Sequence, residues 1–228
     1  MSDDTKLEIG LSSGMNEKLS GDVDVLGPGP YLAGKGPGSR YRSGEAITSN
    51  TISAVISVTV KGEKLALLPG DMDYIGLKDL KRQSQDLSTP ILVYPHHGGL
   101  PGSGSKTEEF CKMIVSEVSP TCVIFSIARR NHNTPNPKTI SSLFKATQTV
   151  RVICTQLSER CSKTLPSNSP KHLANVYATG RDNGYCCGGT VVISLDDFNH
   201  ISPIKFEHAD FIRDQADTAP CQAPAKVD

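Results

Sequence analysis

The sequence predicts an α/β fold, because segments with strand character alternate with segments of helix character from about residue 50 to residue 155. Residues 52–60 are β-branched almost throughout, and a short turn separates them from the apolar run 65–68, a pattern that predicts a hairpin. Thr107–Val118 has apolar residues at helical spacing and acidic residues in its first turn, which predicts a helix. A chain of 228 residues is long enough for one domain with an ordinary core.

The remaining segments extend this alternation in both directions. Short apolar runs predict buried strands, and apolar positions three or four residues apart predict helices. These rules predict a strand at 22–26, a helix at 74–85, strands at 91–94 and 122–127, a helix that begins at Pro137, and strands at 150–155 and 188–195.

The domain boundaries follow from changes in composition. Residues 1–21 are polar without a period and predict a loosely ordered start, so the domain is expected to span residues 22–209. Residues 27–49 are rich in glycine and proline and predict a long loop. Residues 156–185 lose the α/β alternation and predict an insertion, and residues 210–228 predict a flexible tail.

Charge and hydropathy exclude several broad classes of partner. Lysine plus arginine and aspartate plus glutamate both number 24, so no global field attracts nucleic acid or an anionic membrane. No run of 18 apolar residues and no signal-peptide pattern is present, which predicts a cytoplasmic protein without a membrane segment. The seven cysteines are irregularly spaced and are expected to be reduced, although the adjacent Cys186 and Cys187 have the chemistry to bind a soft metal.

Two polar motifs follow predicted strands and are the strongest functional signal. Asp71 follows the apolar run 64–68, and His96 and His97 follow the run 91–94. The glycines after His97 let the backbone turn sharply and approach a bound group. Because Zn²⁺ takes histidine nitrogen and aspartate oxygen ligands, a carboxylate and imidazoles at one sheet edge predict a metal site.

Several short motifs then occur in a defined order along the chain. They are Asn50-Thr-Ile-Ser53, Gly70-Asp71, His96-His97-Gly98, Asn131 and Asn136-Pro137. As an ordered set they resemble the metallo-β-lactamase fold, specifically its DNA-uptake (ComEC-type) branch, over residues 22–155, with the strand near 189–195 as the closing strand. The resemblance implies a metallo-β-lactamase-like αββα sandwich.

The resemblance also implies roles for individual residues. Asp71 resembles the carboxylate that bridges two metal ions, His97 resembles the last metal ligand, and His96 resembles a metal ligand or a neighbouring contact. Asp71 and His97 are thus the expected catalytic residues, with two zinc ions, or manganese, as the cofactor. The expected substrate contacts are Gly98, Gly99, Ser103, Asn131 and His132.

The chain also departs from the family pattern. The principal metal-binding signature, His-x-His-x-Asp-His, does not occur, and His208-Ala-Asp210 is only a fragment of it. The chain therefore resembles only the second half of the domain, and a protein partner or an N-terminal half is expected to carry the missing ligands. Gly99 stands where the family has serine, and Asn136 stands where it has histidine before Pro137.

Three interpretations remain open at this stage. In the first, the chain is part of a metal-dependent hydrolase that acts on phosphodiester bonds, with nucleic acid as the implied substrate. In the second, it is a non-catalytic subunit of the same fold that serves binding or assembly. In the third, it is an ordinary α/β domain whose strand-end loops happen to be polar.

Overall fold

The computed structural model describes residues 23–102, 104–130, 132–166, 170–194, 200–216 and 219–221. The chain forms two compact units. Unit 1 contains the described residues up to His96 together with Leu100–Pro120, and unit 2 contains His97–Gly99 and the described residues from Thr121 onward. Both units combine strands with helices, which confirms the α/β class. The loosely ordered start predicted for residues 1–21 lies outside the described residues.

Unit 1 contains four strands in the spatial order β1-β2-β3-β4. They are β1 (Val23–Gly27), β2 (Val55–Val60), β3 (Glu63–Leu68) and β4 (Ile91–Val93). The predicted hairpin is present, since β2 and β3 pair antiparallel across a turn in which Lys61 and Gly62 have φ of 53° and 82°. β3 and β4 pair in parallel, with Ala66 opposite Ile91, so their carboxyl ends lie at the same edge of the sheet.

The helices of unit 1 are α1 (Pro30–Lys35), α2 (Tyr74–Arg82) and α3 (Thr107–Val118). Asp73 caps α2, because its side chain accepts hydrogen bonds from the N–H groups of Ile75 and Gly76. The predicted bounds of α3 are confirmed, and Ser119 ends this helix in the left-handed conformation. The fully buried side chains of the unit include Leu67, Leu77, Leu92, Phe110 and Ile114.

The prediction of a continuous loop over residues 27–49 is wrong, because α1 lies within it. Pro30 occupies the first turn of this helix, where its fixed φ is favourable and its missing N–H costs nothing. Leu32 is 1% exposed, so tertiary burial offsets the low helix propensity of the surrounding glycines. Gly36, with φ of 70°, follows the helix and ends it.

Unit 2 is built on the parallel pair β5 (Cys122–Phe125) and β6 (Arg151–Cys154), with α4 (Pro137–Ala146) between them in sequence. Phe125, Ile140, Leu143 and Ile153 are fully buried and form its core. Asn136 caps α4, since its side-chain oxygen accepts the N–H of Lys138 at 2.9 Å. This strand, helix and strand succession was predicted from the sequence.

The last elements of unit 2 differ from the prediction. The strand expected at 188–195 is short: β7 (Val192–Ile193) pairs antiparallel with β8 (Ile201–Ser202). α5 (Lys205–Gln215) continues into the segment 210–228 that was expected to be a flexible tail. Ile212 is 8% exposed, and this burial gives the helix an apolar anchor that composition did not reveal. The segment 222–228 lies outside the described residues.

The described helices are short relative to a bilayer. A helix needs about 20 apolar residues to span the hydrocarbon core, whereas α3, with 12 residues, is the longest helix in the described ranges. Within those ranges no helix has the length and apolar character that crossing a membrane requires.

Gly98 provides a test of how closely unit 2 is packed. A Cβ added to Gly98 would lie 2.6 Å from the Phe125 ring and 2.7 Å from Pro135, and its φ is +79°. We expect Gly98→Ala to lower the free energy of unfolding by about 3 kcal/mol, because both a clash and backbone strain are introduced.

Gly62→Ala is the matched control. Gly62 has a similar φ of +82°, but no atom lies within 4 Å of the added Cβ. Only the strain of the left-handed backbone remains, so the expected loss is about 1 kcal/mol. Denaturant unfolding of both variants gives the comparison, and equal losses would show that Gly98 is not closely packed.

Candidate functional site

Asp71 and His96 lie together at one edge of the sheet in unit 1. β3 ends at Leu68 shortly before Asp71, and β4 ends at Val93 shortly before His96. The N–H of His96 donates to the carbonyl of Gly70 at 3.1 Å, which holds the two turns side by side. Asp71 Oδ1 lies 4.0 Å from His96 Nδ1, and both side chains are partly exposed. A carboxylate and an imidazole thus lie together, as their positions after two neighbouring strands predicted.

Asn50 and Ser53 orient these two candidate site residues. Ser53 Oγ accepts the N–H of Asp71 at 3.1 Å. Asn50 Nδ2 lies 3.3 Å from His96 Nδ1, so the amide donates and the ring nitrogen accepts. Asn50 and Ser53 belong to one of the motifs that resemble the family, but the sequence did not predict them as site residues. Their spacing of three residues was the signal that could have identified them.

His97 belongs to unit 2 and has a different anchor. Its Nδ1 lies 2.6 Å from the carbonyl oxygen of Ser126. A carbonyl only accepts, so Nδ1 carries the proton and the lone pair of the neutral ring is on Nε2. Histidines that bind metals are commonly oriented in this way by a backbone carbonyl. The anchor therefore fixes the tautomer that a ligand or a general base requires.

His97 also lines a cavity in unit 2, which we call the large cavity and which has a volume of about 570 Å³. Its polar lining includes His97, Ser126, His132, Thr134, Thr155, Gln156, Thr179 and Thr190. No carboxylate is among the described residues that line it. The large cavity is therefore suited to a polar ligand that is neutral or anionic.

The predicted substrate contacts have different structural positions. His132 lines the large cavity. Gly98 and Gly99 use their carbonyl groups within unit 2: Gly98 accepts the N–H of Asn136 at 2.9 Å, and Gly99 accepts the Thr139 hydroxyl at 3.2 Å. Ser103 and Asn131 lie outside the described residues.

The two adjacent histidines adopt an uncommon backbone conformation. His96 and His97 have φ of 53° and 54°, and Gly98 continues the turn with φ of 79°. A residue with a side chain pays roughly 1–2 kcal/mol to adopt the left-handed region. Such strain is concentrated at binding and catalytic sites, because it persists only where the surrounding structure enforces it. The Pro95–Gly98 turn therefore has the character of a functional segment.

Asn136 has a structural role at the start of α4. Its side chain caps α4, and its N–H donates to Gly98. An asparagine is among the preferred residues at this position of a helix, since its short side chain reaches the free N–H groups of the first turn. Asn136 therefore joins the start of α4 to the glycine turn.

The described residues do not by themselves fit a zinc ion. Two ligands on one tetrahedral zinc, each at about 2.0 Å, are roughly 3.3 Å apart. Asp71 Oδ1 and His96 Nδ1 are 4.0 Å apart, which is longer than this spacing, and Nδ1 already accepts the amide of Asn50. In addition, no group of three histidine, cysteine, aspartate or glutamate side chains in the described ranges is arranged to hold a metal ion. Catalytic zinc sites take three protein ligands, so the described set is incomplete.

The His208-Ala-Asp210 fragment is not a metal-binding element in its present arrangement. His208 is 3% exposed, and its Nε2 lies 3.3 Å from Cys187 Sγ. Burial, with smaller contributions from His172 and Arg151, lowers the pKa of His208 to about 3. Burial also raises the pKa of the Cys187 thiol, so the pair stays neutral. Asp210 instead pairs with Arg213 at 2.7 Å.

No family model matches the chain, and no curated protein and no solved structure matches it either. The resemblance to the metallo-β-lactamase fold therefore rests on the ordered motifs alone.

The hydrogen bond from Asp71 to Ser53 gives a local test of the site geometry. We expect Ser53→Ala to raise the exchange rate of the Asp71 amide proton about fivefold to tenfold, because a hydrogen bond worth about 1 kcal/mol is lost. Amide hydrogen exchange followed by nuclear magnetic resonance measures the change. Ser53→Thr keeps the hydroxyl and is the matched control. An unchanged rate in Ser53→Ala would mean that Ser53 does not hold Asp71.

The buried His208 predicts a pH dependence of stability. The pKa of His208 is about 3 in the folded chain, compared with a reference value of 6.5 for the unfolded chain. At a pH below 6.5 the unfolded chain therefore binds more protons than the folded chain, and stability is lost as the pH falls. Between about pH 7 and about pH 5 the expected loss is roughly 2 kcal/mol. We expect His208→Met to reduce this slope in denaturant unfolding, with His200→Gln at an exposed position as the control. An unreduced slope in His208→Met would contradict the assignment.

Proposed function

We propose that this chain is part of a metal-dependent hydrolase, with the fold of the second half of a metallo-β-lactamase-like domain of the DNA-uptake type. The observation that carries the proposal is the 4.0 Å separation of Asp71 Oδ1 and His96 Nδ1 at two neighbouring strand ends. Asp71 and His97 are the proposed catalytic residues. The proposed substrates are phosphodiester bonds, with nucleic acid as the class.

The orientation of the polar groups supports this proposal. Ser53 holds the backbone of Asp71, and Asn50 contacts His96. The Ser126 carbonyl fixes the tautomer of His97. Asp71 and His96 in unit 1, and His97 in unit 2, thus each have a hydrogen-bonding neighbour, and such neighbours are typical of residues that bind a ligand.

The proposal requires ligands beyond the described residues, because these alone do not fit the metal. We propose that a protein partner, or a polypeptide segment outside this chain, supplies them through a His-x-His-x-Asp-His motif. When bound, zinc or manganese would supply a nucleophilic hydroxide and stabilise negative charge on oxygen. The contribution of this chain is to present Asp71, His96 and His97 in fixed orientations.

A second candidate function is favoured by the incompleteness of the ligand set. In that case the chain is a non-catalytic subunit, and the large cavity, at about 570 Å³, is its binding site. Cavities of roughly 300–1,000 Å³ are typical of small-molecule sites. The two functions differ in whether a partner restores hydrolysis.

Reconstitution with a partner that contains His-x-His-x-Asp-His distinguishes these functions. The chain alone is expected to bind zinc weakly by elemental analysis, since its described residues offer too few ligands. With the partner and zinc, we expect hydrolysis of a phosphodiester substrate. Asp71→Asn and His97→Ala should abolish this activity, and His96→Ala should lower it roughly 10–100-fold if it acts beside the ligands.

Glu63→Gln is the matched control, because it removes an exposed carboxylate at the start of β3 in the same unit. This variant should keep full activity, and Asp71→Asn should still assemble with the partner, since Asp71 is only partly buried. Full activity in Asp71→Asn would end the catalytic proposal. If no partner restores hydrolysis, the non-catalytic function is favoured.

A further inference from the structure

Arg129 places a positive charge in unit 2, and no carboxylate of the described residues forms an ion pair with it. The residue is 8% exposed. Its guanidinium donates from Nη1 to the carbonyl of Leu157 at 2.6 Å and from Nη2 to those of Ser162 and Lys163 at 2.9 and 3.1 Å. Carbonyl groups accept these hydrogen bonds but do not neutralise the charge. A buried charge without a counter-ion is costly, so this arrangement needs an explanation.

One donor of Arg129 also lacks a partner. Its Nε is buried and makes no hydrogen bond to any described residue. Leaving a charged donor unsatisfied costs more than leaving a neutral one, and such groups are rare in native structures. Among the described residues, the guanidinium therefore has no carboxylate paired with its charge, and it has one unused N–H group.

Arg129 lines a second cavity in unit 2, which we call the small cavity and which has a volume of about 220 Å³. Its other charged or titratable lining residues are Arg130, His132 and Glu159. Arg130 Nε lies 3.8 Å from Glu159 Oε1, and its side chain is 67% exposed. Two arginines and one glutamate give the lining a formal charge of +1 before His132 contributes.

Ser158 adds a neutral donor to the same lining. Its Oγ accepts the N–H of Arg160 at 3.3 Å, and this bond leaves the hydroxyl proton of Ser158 available to donate. Ser158 is 3% exposed and lines the small cavity with Arg129. The small cavity thus combines buried and exposed cationic groups with a hydroxyl donor, which is the chemistry that recognises an oxyanion.

We propose that the small cavity is a binding site for a tetrahedral oxyanion, either inorganic phosphate or the phosphoryl group of a larger ligand. The volume of about 220 Å³ is below the usual range for a whole small-molecule ligand and suits a single ion or group. The planar guanidinium groups match the oxygens of phosphate, and the anion supplies the counter-charge that Arg129 lacks. The site needs neither a metal ion nor a partner chain.

Isothermal titration of the full chain with inorganic phosphate, without added metal, tests the proposal. We expect saturable binding at millimolar concentrations or below. Arg130→Gln should weaken binding roughly tenfold, because a charge-assisted contact is lost. Glu159→Gln should strengthen binding, since it removes the only carboxylate among the described residues that line the small cavity. Arg130 and Glu159 are both exposed, so neither substitution threatens the fold.

Arg213→Gln is the matched control, because Arg213 is equally exposed at 67% but lies on α5 and does not line the small cavity. It should leave phosphate affinity unchanged. A nucleoside monophosphate used in place of phosphate separates the two sources of the anion. Tighter binding of the monophosphate identifies a phosphoryl group of a larger ligand, and equal affinity identifies the free ion.

Several outcomes would overturn the oxyanion site. One is the absence of saturable phosphate binding by the unaltered chain. Another is equal weakening by Arg130→Gln and Arg213→Gln, which would indicate nonspecific attraction. Weaker binding in Glu159→Gln would also contradict the charge argument. These measurements use neither metal nor partner. A failure of the oxyanion site would therefore not contradict the proposed hydrolase, and a failure of the proposed hydrolase would not contradict the oxyanion site.

Discussion

The parallel pairing of β3 with β4 is the constraint on which the candidate metal site depends. With Ala66 opposite Ile91 and Leu67 opposite Leu92, both strands deliver their following turns to the same edge of the sheet. The hydrogen bond from His96 to Gly70 then joins the turns directly. A one-residue change in register would move the side chains of a strand to the opposite face. The 4.0 Å approach of Asp71 and His96 is therefore a consequence of strand register.

Packing in unit 2 supports the conformation of His97. Gly98 lies against the Phe125 ring and Pro135 with no room for a side chain, and its carbonyl accepts the N–H of Asn136. Asn136 in turn caps α4, so the helix, the glycine turn and the buried end of β5 are joined. This connection offsets the cost of placing histidine in the left-handed region. The orientation of His97 is thus tied to the core of the unit that contains it.

Much of the fold could be predicted because its signals are local and periodic. The hairpin, α3 and the strands of both parallel pairs follow from β-branched runs and helical spacing. The prediction failed where burial outweighed composition, as at Leu32 in α1 and Ile212 in α5. Asp71 was identified because it follows a strand. Arg129 was not, because its three carbonyl partners lie about 30 residues further along the chain and no local pattern marks them.

The distribution of charge shows why a neutral chain can still contain an anion site. Equal numbers of acidic and basic residues remove the long-range field that would attract a polyanion. Recognition of a small ion depends instead on a few groups at short range in a medium of low effective dielectric. Arg129 is buried, so water and salt screen it far less than an exposed lysine. Net charge therefore determines attraction over long distances, whereas the fold determines the local potential at the small cavity by placing charged groups there.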